Sequence, residues 1–418
     1  MSEPKLHRAK PFVISKMAVF EAYQKVKAND GAAGVDKESI TEFEGDLKKN
    51  LYKLWNRMSS GCYFPPPVRA VEIPKKSGGS RILGVPTVAD RIAQTVAKMY
   101  LEPEVEPIFH QDSYGYRPKR SALGAVEVCR KRCWKFDWVI DLDIRAFFDS
   151  IDHDLMLKAV SRHTNEQWIL LYIERWLKAP IEYENGTTIR RDRGTAQGSA
   201  ISPLLANLFL HYAFDSWMAR NFPNCPFERY ADDGVIHCAS EQEAREVLAA
   251  LGQRLADVGL ELHSGKTTIV YCKDANRKGS YSHEQFDFLG YRFRPRLARN
   301  RSGQFFVSFV PAISNAAIKA IGQKIRAWHL NVHSDKSLTD LAGFINPILR
   351  GWINYYGRFY PSRLFRTLKR IDEYIIRWAR RKYKRLSTSL WRALKWLRGV
   401  KRHSPALFAH WQAGTSAR

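Results

Sequence analysis

Two apolar segments of the sequence contain aspartates at places where a buried strand has no ordinary use for them. One segment covers residues 138–144 (WVIDLDI) and the other residues 229–238 (RYADDGVIHC), and both are rich in β-forming side chains. A carboxylate buried in a sheet is costly unless it is paired or binds a cation. Asp143, Asp232 and Asp233 therefore form a candidate Mg²⁺ site, because this ion prefers carboxylate and phosphate oxygens.

The adjacent aspartates also have a plain structural interpretation. Asp-Asp-Gly is a common tight turn, and residues 232–234 would then join the two strands of a β-hairpin. As a catalytic group, by contrast, the carboxylates could hold two metal ions about 4 Å apart, which activate an attacking 3′-hydroxyl and stabilise the departing pyrophosphate. The neighbouring motifs decide between these interpretations.

Positive charge is concentrated toward the end of the 418-residue chain. The formal net charge is +25, and the residues from 301 onward contain 23 Lys and Arg but 4 Asp and Glu. Half of the 12 tryptophans lie in the same segment, where aromatic and basic side chains together can serve base stacking and phosphate contact. Amphipathic helices with solvated basic faces would explain the tryptophans, but not a charge so one-sided. The distribution therefore indicates a polyanionic partner.

The composition excludes several classes of protein. Hydrophobic residues make up 45% of the chain, which is ample for packed cores, but no apolar run reaches the roughly 20 residues of a membrane span. The N-terminus lacks the apolar stretch of a secretion signal, and the six cysteines follow no disulfide or zinc spacing. We therefore expect a globular protein with reduced thiols and no membrane partner, located in the cytoplasm and associated with the nucleoid when it acts on DNA.

The hydrophobic pattern alternates between helical and β-rich stretches. Residues 13–60 follow a helical spacing that a glycine-rich turn interrupts, so they predict a small helical extension. Residues 68–74 and 81–85 predict a β-hairpin with a basic tip, followed by a helix over residues 88–100. From Pro311 to Leu397 the pattern predicts helices almost throughout.

The motifs around the aspartates resemble those of a known family. Tyr230-Ala231-Asp232-Asp233 looks like the YxDD box of reverse transcriptases, in the YADD form typical of group II intron-encoded enzymes. Other blocks resemble the motifs of that family in the same order: 73–91 (fingers), 113–118 (SYGYRP), 141–149 (DLDIRAFFD), 194–207 (GTAQGSAISPLLAN), 288–291 (FLGY, the primer grip) and 349–357 (LRGWINYYG, the maturase or thumb signature). Chance agreement of so many ordered blocks is negligible.

One block departs from the family pattern. The family usually has Pro before the glutamine and Gly-Gly after it, whereas this chain has Ala196-Gln197-Gly198-Ser199. The stiffness of this loop is therefore expected to differ from that in other members of the family. The resemblance thus does not predict the nucleotide affinity or the fidelity of this protein. The carboxylates are not affected by the departure.

The resemblance implies an α+β fold of the right-hand polymerase type. Residues 1–60 would form a helical N-terminal extension, and residues 61–300 the reverse transcriptase fingers and palm with an antiparallel sheet. An all-helical thumb or maturase domain that binds RNA would cover residues 301–386. Residues 387–418 would form a short basic tail, similar in place to the DNA-binding segment of the family.

The resemblance also implies which residues carry the chemistry. Asp143, Asp232 and Asp233 would be the catalytic carboxylates that hold two Mg²⁺ ions, with Ile144 as a further metal ligand. Lys266 would assist the leaving pyrophosphate as a proton donor or as a charge. For Lys266 an ordinary surface lysine is the alternative.

A second group of residues would bind the nucleotide. Lys75 and Arg81, at the tip of the fingers hairpin, would clamp the incoming triphosphate, although a solvated turn is the alternative for both. Phe148 would lie beneath the sugar, where a bulky ring excludes a 2′-hydroxyl and so selects deoxynucleotides. Gln197 would contact the edge of the sugar, and Tyr230 would belong to the same binding surface.

The implied function is an RNA-directed DNA polymerase with RNA-binding maturase activity. Such a protein assists group II intron splicing and copies intron RNA into DNA for retrohoming by two-metal-ion nucleotidyl transfer. Its partners would be the intron RNA, an RNA template with a DNA primer, target DNA and dNTPs, and a dimer is one option for its oligomeric state. The sequence supplies no cluster of Cys and His for a metal-dependent endonuclease, so we expect that the protein does not nick the second DNA strand and depends on a pre-existing primer.

Three other functions stay open at this point. The protein could be a splicing cofactor whose polymerase is idle, or a domesticated relative that serves DNA repair or phage defence without an intron. An RNA-dependent RNA polymerase shares a carboxylate palm, but Phe148 disfavours ribonucleotides. Primer extension on an RNA template separates the first and third of these from a reverse transcriptase.

Overall fold

The computed structural model describes residues 10–74, 79–300 and 302–416. In these ranges the helices are, in order, α1 (Lys16–Asn29), α2 (Ile40–Gly45), α3 (Leu47–Ser59), α4 (Val88–Val105), α5 (Ala122–Cys133), α6 (Phe147–Ser150), α7 (His153–Ser161), α8 (Gln167–Lys178), α9 (Ser202–Leu210), α10 (Ser216–Asn221), α11 (Glu241–Asp257), α12 (Asn315–Ala327), α13 (Leu338–Tyr356), α14 (Pro361–Lys382), α15 (Lys384–Ser387), α16 (Leu390–His403) and α17 (Ala409–Ser416). The strands are β1 (Val68–Pro74), β2 (Ser80–Val85), β3 (Trp138–Asp143), β4 (Ile181–Glu182), β5 (Thr188–Ile189), β6 (Phe227–Tyr230), β7 (Asp233–Cys238), β8 (Thr268–Tyr271), β9 (Phe286–Phe288), β10 (Tyr291–Arg299) and β11 (Phe305–Ile313). This mixture confirms the predicted α+β class.

The chain divides into two structural units. The first unit consists of residues 1–121, 142–236 and 242–267, and the second of residues 122–141, 237–241 and 268–418. Those candidate catalytic and nucleotide-binding residues that the structure describes fall in the first unit. The second unit contains the basic C-terminal third of the chain.

The N-terminal helices begin where side chains can cap them. Ser15 accepts hydrogen bonds from the amides of Met17 and Ala18 at the start of α1, and Ser39 forms a capping box with Glu42 on α2. The buried side chains of α1 recur at helical spacing: Val19, Ala22, Tyr23 and Val26. Three helices, α1 to α3, therefore occupy most of residues 16–59.

Strands β1 and β2 form the predicted hairpin. Their antiparallel register pairs Arg69 with Val85 and Pro74 with Ser80. Strand β1 also pairs in parallel with β4, so the order in this sheet is β2-β1-β4-β5. Lys75, predicted to bind the triphosphate, lies outside the described residues.

The helix predicted over residues 88–100 extends further, as α4, to Val105. Thr87 caps it by accepting a hydrogen bond from the amide of Asp90, and Pro103 lies inside its last turn. Leu101 and Val105 are fully buried. Their burial holds this turn in place although the proline removes a backbone hydrogen bond.

A second sheet carries the two aspartate-containing segments. Strands β6 and β7 form an antiparallel hairpin that pairs Phe227 with Ile236, and β3 pairs antiparallel with β8. The order of the strands is β6-β7-β3-β8. As predicted for strands of this composition, the apolar side chains of β3 and β7 are buried: Val139, Ile140, Val235 and Ile236.

In the second unit, helices α12 to α17 share an apolar core. The buried face of α14 is regularly spaced and carries Leu364, Leu368, Ile371, Ile375 and Trp378. The helical region begins at Asn315 rather than directly after Pro311, because β11 continues to Ile313 in antiparallel pairing with β10. Of the described residues, the all-helical character predicted for this region therefore applies to residues 315–416.

The tryptophans of the basic segment mostly belong to its core. Trp328, Trp378 and Trp411 are buried, whereas the side chain of Trp391 is 67% exposed. Asp372 in α14 accepts hydrogen bonds from Trp411 Nε1 at 2.7 Å and from the ammonium group of Lys401 at 2.6 Å. These contacts attach α16 and α17 to α14. The aromatic side chains therefore build the core more than they offer stacking surfaces.

Within the described ranges, no helix combines the length with the apolar composition that a membrane span requires.

Candidate active site

The turn between β6 and β7 carries the adjacent aspartates. Tyr230 pairs with Asp233, so the turn consists of Ala231 and Asp232 and not of the predicted Asp-Asp-Gly tripeptide. Ala231 has φ = +57°, in the left-handed region. Gly234 already belongs to β7, where a Cβ would come within 2.9 Å of a leucine side chain of β3. The glycine is therefore required for close packing of two strands rather than for the turn.

Asp143 ends β3 and is held by the loop that precedes β8. Its carbonyl accepts a hydrogen bond from the amide of His263 at 2.8 Å, and Lys266 Nζ donates to its Oδ2 at 2.8 Å. Ile144 follows and forms an isolated antiparallel bridge with Leu262. Lys266 is 52% exposed, yet it forms an ion pair with a candidate catalytic carboxylate. This contact distinguishes Lys266 from a freely solvated lysine.

The charge of Asp143 reaches both aspartates of the turn. Burial raises the pKa of Asp232, and the charge of Asp143 adds to this effect, whereas Lys266 and Arg229 oppose it. Burial and the charges of Asp232 and Asp143 raise the pKa of Asp233 to about 6, although its side chain keeps contact with solvent. A divalent cation would relieve this repulsion, and carboxylate oxygens are its preferred ligands. The donor set therefore fits a Mg²⁺-type ion.

The loop that contains Gln197 forms backbone hydrogen bonds with Phe148 on one side and with the fingers hairpin on the other. The amide of Thr195 donates to the carbonyl of Phe148 at 2.7 Å, and the amide of Gly84 in β2 donates to the carbonyl of Gln197 at 2.8 Å. Gly198 has φ = +116°, and a Cβ there would lie 2.8 Å from the carbonyl oxygen of Gly84. The backbone of this loop is thus fixed on both sides. The side chains of Phe148 and Gln197 remain partly exposed.

Tyr116 lies near both Tyr230 and Arg81. Arg81 lies within β2 opposite Ile73, and not at the tip of the hairpin as predicted. The ring centroids of Tyr116 and Tyr230 are 6.2 Å apart. Burial raises the pKa of Tyr116, as do the charges of Tyr230 and Asp232, while Arg81 lowers it. These side chains therefore lie within electrostatic range of the aspartate turn.

Two side chains near the turn were missed by reasoning from the sequence. Tyr116 is 55% exposed, and only its place in the SYGYRP block pointed to the site. Arg229 precedes the YADD box, is 2% exposed and forms an ion pair with the fully buried Asp215 at 2.6 Å. The sequence did contain a signal for Arg229, which is a charged residue in an otherwise apolar strand. A buried guanidinium group requires a partner, so its position indicated a specific contact.

The chain matches two family profiles. Residues 73–293 match the family described as reverse transcriptase (RNA-dependent DNA polymerase). Residues 318–396 match the group II intron maturase-specific domain. The first match includes the aspartate turn, Asp143 and strand β2, together with the end of β1, and the second falls on helices α12 to α16.

Individual relatives cover these regions to different extents. Protein YkfC of Escherichia coli is 30% identical over 316 residues, which are 66% of this chain and 80% of that protein. The group II intron-encoded protein LtrA of Lactococcus lactis is 32% identical over 195 residues, which are 46% of this chain and 32% of LtrA. An uncharacterized 91 kDa protein in the cob intron of Schizosaccharomyces pombe is 26% identical over 431 residues, which are 86% of this chain and 51% of that protein. The chain therefore belongs to the reverse transcriptase family of RNA-dependent DNA polymerases and carries the maturase-specific domain of group II intron proteins.

Proposed function

We propose that this chain copies RNA into DNA with Asp143, Asp232 and Asp233 as the ligands of two Mg²⁺ ions. The observation that carries the proposal is the close packing of β7 on β3, where a Cβ on Gly234 would lie 2.9 Å from the side chain of Leu142 and the preceding Asp233 lies beside Asp143. The charges of Asp143 and Asp232 also contribute to the raised pKa of Asp233. Reverse transcriptases use divalent metal ions, and the matched family region contains all three residues. A shared cation is the simplest partner for carboxylates arranged in this way.

The residues around the carboxylates would have separate tasks in the reaction. When bound, the metal ions would activate the 3′-hydroxyl of the primer and stabilise the charge of the departing pyrophosphate. Asp143, Asp232, Asp233 and the carbonyl group of Ile144 would hold these ions. The Nζ atom of Lys266 lies 2.8 Å from Asp143 Oδ2. As the P–O bond breaks, Lys266 would donate a proton to the pyrophosphate or stabilise its negative charge.

The nucleotide would be bound by residues from three parts of the first unit. Arg81 in β2, together with Lys75, would bind the triphosphate through charge-assisted hydrogen bonds. Phe148 would pack beneath the sugar and exclude a 2′-hydroxyl, while Gln197 would contact the sugar edge. Tyr230, next to the turn, would complete this surface. The exposure of Phe148 and Gln197 is consistent with these tasks.

Extension of a DNA primer on an RNA template tests the proposed activity. The purified chain is expected to incorporate dNTPs in the presence of Mg²⁺, to stop when EDTA removes the metal, and to resume when Mg²⁺ is restored. Extension on the RNA template that is unaffected by EDTA would contradict the proposal. Failure to extend under any metal condition would leave the splicing cofactor with an idle polymerase as the remaining function.

Replacing Lys266 with Ala is expected to lower the rate of single-turnover primer extension by about 10- to 100-fold, because a proton or charge donor for the leaving group is lost. The dissociation constant of the dNTP should change much less. Single-turnover kinetics over a range of dNTP concentrations separates the two effects. A matched control is Lys178→Ala, which removes another exposed lysine from an ion pair, at 2.6 Å with Glu174. Equal rates for both variants would argue that Lys266 is a surface lysine.

We propose that the four segments inferred from the sequence correspond to functional regions. Residues 1–60 would be the N-terminal extension, residues 61–300 the fingers and palm, residues 301–386 the thumb and maturase region, and residues 387–418 a DNA-binding tail. The match to a maturase-specific domain over residues 318–396 supports a role in binding intron RNA. On this basis the chain would assist splicing of a group II intron and copy its RNA for retrohoming.

RNA binding by the maturase region is expected to depend on the exposed face of α14. Arg366, Lys369 and Arg377 are solvent-exposed on the side opposite the buried apolar face. Replacing all three with Ala should weaken RNA binding and reduce the slope of log Kd against log salt by about 0.7 to 0.9 for each lost phosphate contact. Filter binding at several salt concentrations measures this slope.

The matched control removes the same number of charges from the N-terminal helices. Lys25, Lys48 and Lys49 are exposed on α1 and α3. Their replacement with Ala lowers the net charge equally, so it is expected to leave the salt slope nearly unchanged. An equal change of slope in both variants would mean that the net charge, and not α14, determines RNA binding.

A further inference from the structure

Arg229 lies immediately before the YADD box. Its guanidinium group is buried, and all of its N–H groups donate hydrogen bonds. It makes a bidentate ion pair with Asp215, in which Nε donates to Oδ1 at 2.7 Å and Nη2 donates to Oδ2 at 2.6 Å. Nη1 donates to Asn207 Oδ1 and to the carbonyl of Ala231, both at 3.0 Å, and Nη2 donates to Ser113 Oγ at 2.8 Å. Each of the five N–H groups of the guanidinium therefore has an acceptor.

One of these acceptors lies in the aspartate turn itself. Ala231 is the residue between Tyr230 and Asp232, and its φ of +57° is a conformation that L-residues adopt infrequently. Its carbonyl group, which accepts the hydrogen bond from Arg229, belongs to the peptide plane that joins Ala231 to Asp232. Fixing this plane therefore fixes the nitrogen and Cα atoms of Asp232 and so restricts the directions in which its side chain can leave the backbone.

The groups that orient Arg229 come from separate elements of the first unit. Asp215 is the last residue of a π-helix (His211–Asp215). Such helices are rare in proteins overall, but many of those known lie at functional sites. Asn207 in α9 also donates to the carbonyl of Gly115 at 2.6 Å. A Cβ on Gly115 would lie 2.5 Å from the amide nitrogen of Ala231. The loop that contains Gly115 thus packs directly against the turn.

We infer that Arg229 is a positioning residue that sets the conformation of the metal-binding turn through the carbonyl of Ala231. The inference rests on the proposed function, because it assigns Arg229 a task at the same site. A purely structural role would require only a cation beside the buried carboxylate of Asp215. The additional hydrogen bond to Ala231 is what couples this ion pair to the metal ligands.

Replacing Arg229 with Lys separates the two roles. Lysine keeps the positive charge beside Asp215, but it has three donors on one nitrogen and lacks the planar fork that reaches several acceptors at once. The hydrogen bond to Ala231 should therefore be lost. Because residues that orient metal ligands typically affect metal affinity or activity by 10- to 100-fold, we expect an effect of about that size.

Binding of Mn²⁺ to the full chain, measured by EPR of the free ion, provides a test that does not depend on catalysis. The Mn²⁺ sites at the turn are identified as those that Asp232→Asn removes. In Arg229→Lys their dissociation constant is expected to rise about tenfold or more. In primer extension the half-saturating Mg²⁺ concentration should rise and kcat should fall, while KM for the dNTP changes by less than about threefold.

Arg191→Lys is the matched control. Arg191 is partly buried, whereas Arg229 is buried, and it donates to backbone carbonyls, those of Ala179 at 2.8 and 2.9 Å and of Trp176 at 3.3 Å, but not to the turn. This variant should bind Mn²⁺ with the affinity of the parent chain. An equal loss of affinity in both arginine variants would overturn the inference, because the effect would then follow from general loss of stability.

Gly115→Ala decides the matter if Arg229→Lys does not fold. This variant leaves the pair of Arg229 and Asp215 intact and places a methyl group against the amide of Ala231. Weaker Mn²⁺ binding in a folded Gly115→Ala chain would support the premise that the conformation of the turn controls metal affinity, and parental affinity would overturn the inference. A parent chain that binds Mn²⁺ at the turn but extends no primer would refute the proposed function alone. A parent chain with no Mn²⁺ site at the turn would overturn the inference as well.

Discussion

Replacing Asp232 with Asn is expected to lower the rate of RNA-templated primer extension by roughly 10³-fold or more, because the catalytic cations would lose a charged ligand that contributes several kcal/mol of stabilisation. The amide keeps the size of the side chain and removes its negative charge. In the metal-free protein the same change should preserve or raise the melting temperature, since the charge of Asp232 contributes to the raised pKa of Asp233. Loss of activity without loss of stability is characteristic of a catalytic residue.

Single-turnover extension and differential scanning calorimetry measure the two effects. Asp257→Asn is a suitable control, because Asp257 is an exposed aspartate at the end of α11 whose Oδ1 accepts a hydrogen bond from Gln253. Its replacement should leave the extension rate within about twofold of the parent. Retention of a tenth or more of the parental rate by Asp232→Asn would refute the assignment of this carboxylate as a metal ligand.

Replacing Phe148 with Ala is expected to reduce discrimination against ribonucleotides by about 10- to 100-fold. A bulky ring beneath the sugar would reject a 2′-hydroxyl by steric exclusion, and a difference of one small group in a pocket corresponds to about 1–3 kcal/mol. The relevant quantity is the ratio of kcat/KM for dCTP to kcat/KM for CTP on the same template. Phe148→Leu should give an intermediate ratio, because its side chain fills part of the space.

The adjacent phenylalanine serves as the control for this prediction. Phe147 is buried in the core, whereas the side chain of Phe148 remains partly exposed. Phe147→Leu should therefore lower the stability of the protein and leave the ratio of deoxy- to ribonucleotide use nearly unchanged. A ratio that shifts in Phe147→Leu and not in Phe148→Ala would contradict the role given to Phe148.

The parts of the fold that follow from local patterns were predictable from the sequence. The hairpin of β1 and β2, the N-terminal helices and the buried strands with aspartates all depend on side-chain periodicity and on turn-forming residues. The turn at the aspartates was placed one residue too late. Asp-Asp-Gly is a common turn sequence, but here Gly234 belongs to β7, where close packing against β3 requires a residue without a side chain.

The contacts that support the candidate site could not be read from local patterns. The ion pair of Lys266 with Asp143 joins residues that are 123 positions apart, and Arg229 contacts Ser113 across 116 positions. Such contacts depend on how distant segments pack, which periodicity does not encode. The same reason explains the tryptophans of the basic segment, since Trp378 and Trp411 became core residues through the packing of helices α14 and α17.

Cleavage of the backbone by iron bound at the Mg²⁺ site gives the most direct test that Asp143 and the Asp232–Asp233 pair hold the same cations. Fe²⁺ replaces Mg²⁺, and ascorbate with hydrogen peroxide then produces radicals that cut the chain near the bound ion. We predict two cleavage positions, close to residues 143–144 and 232–233, both suppressed by excess Mg²⁺ and both absent in Asp232→Asn. Cleavage at one of these positions without the other would contradict a shared metal site.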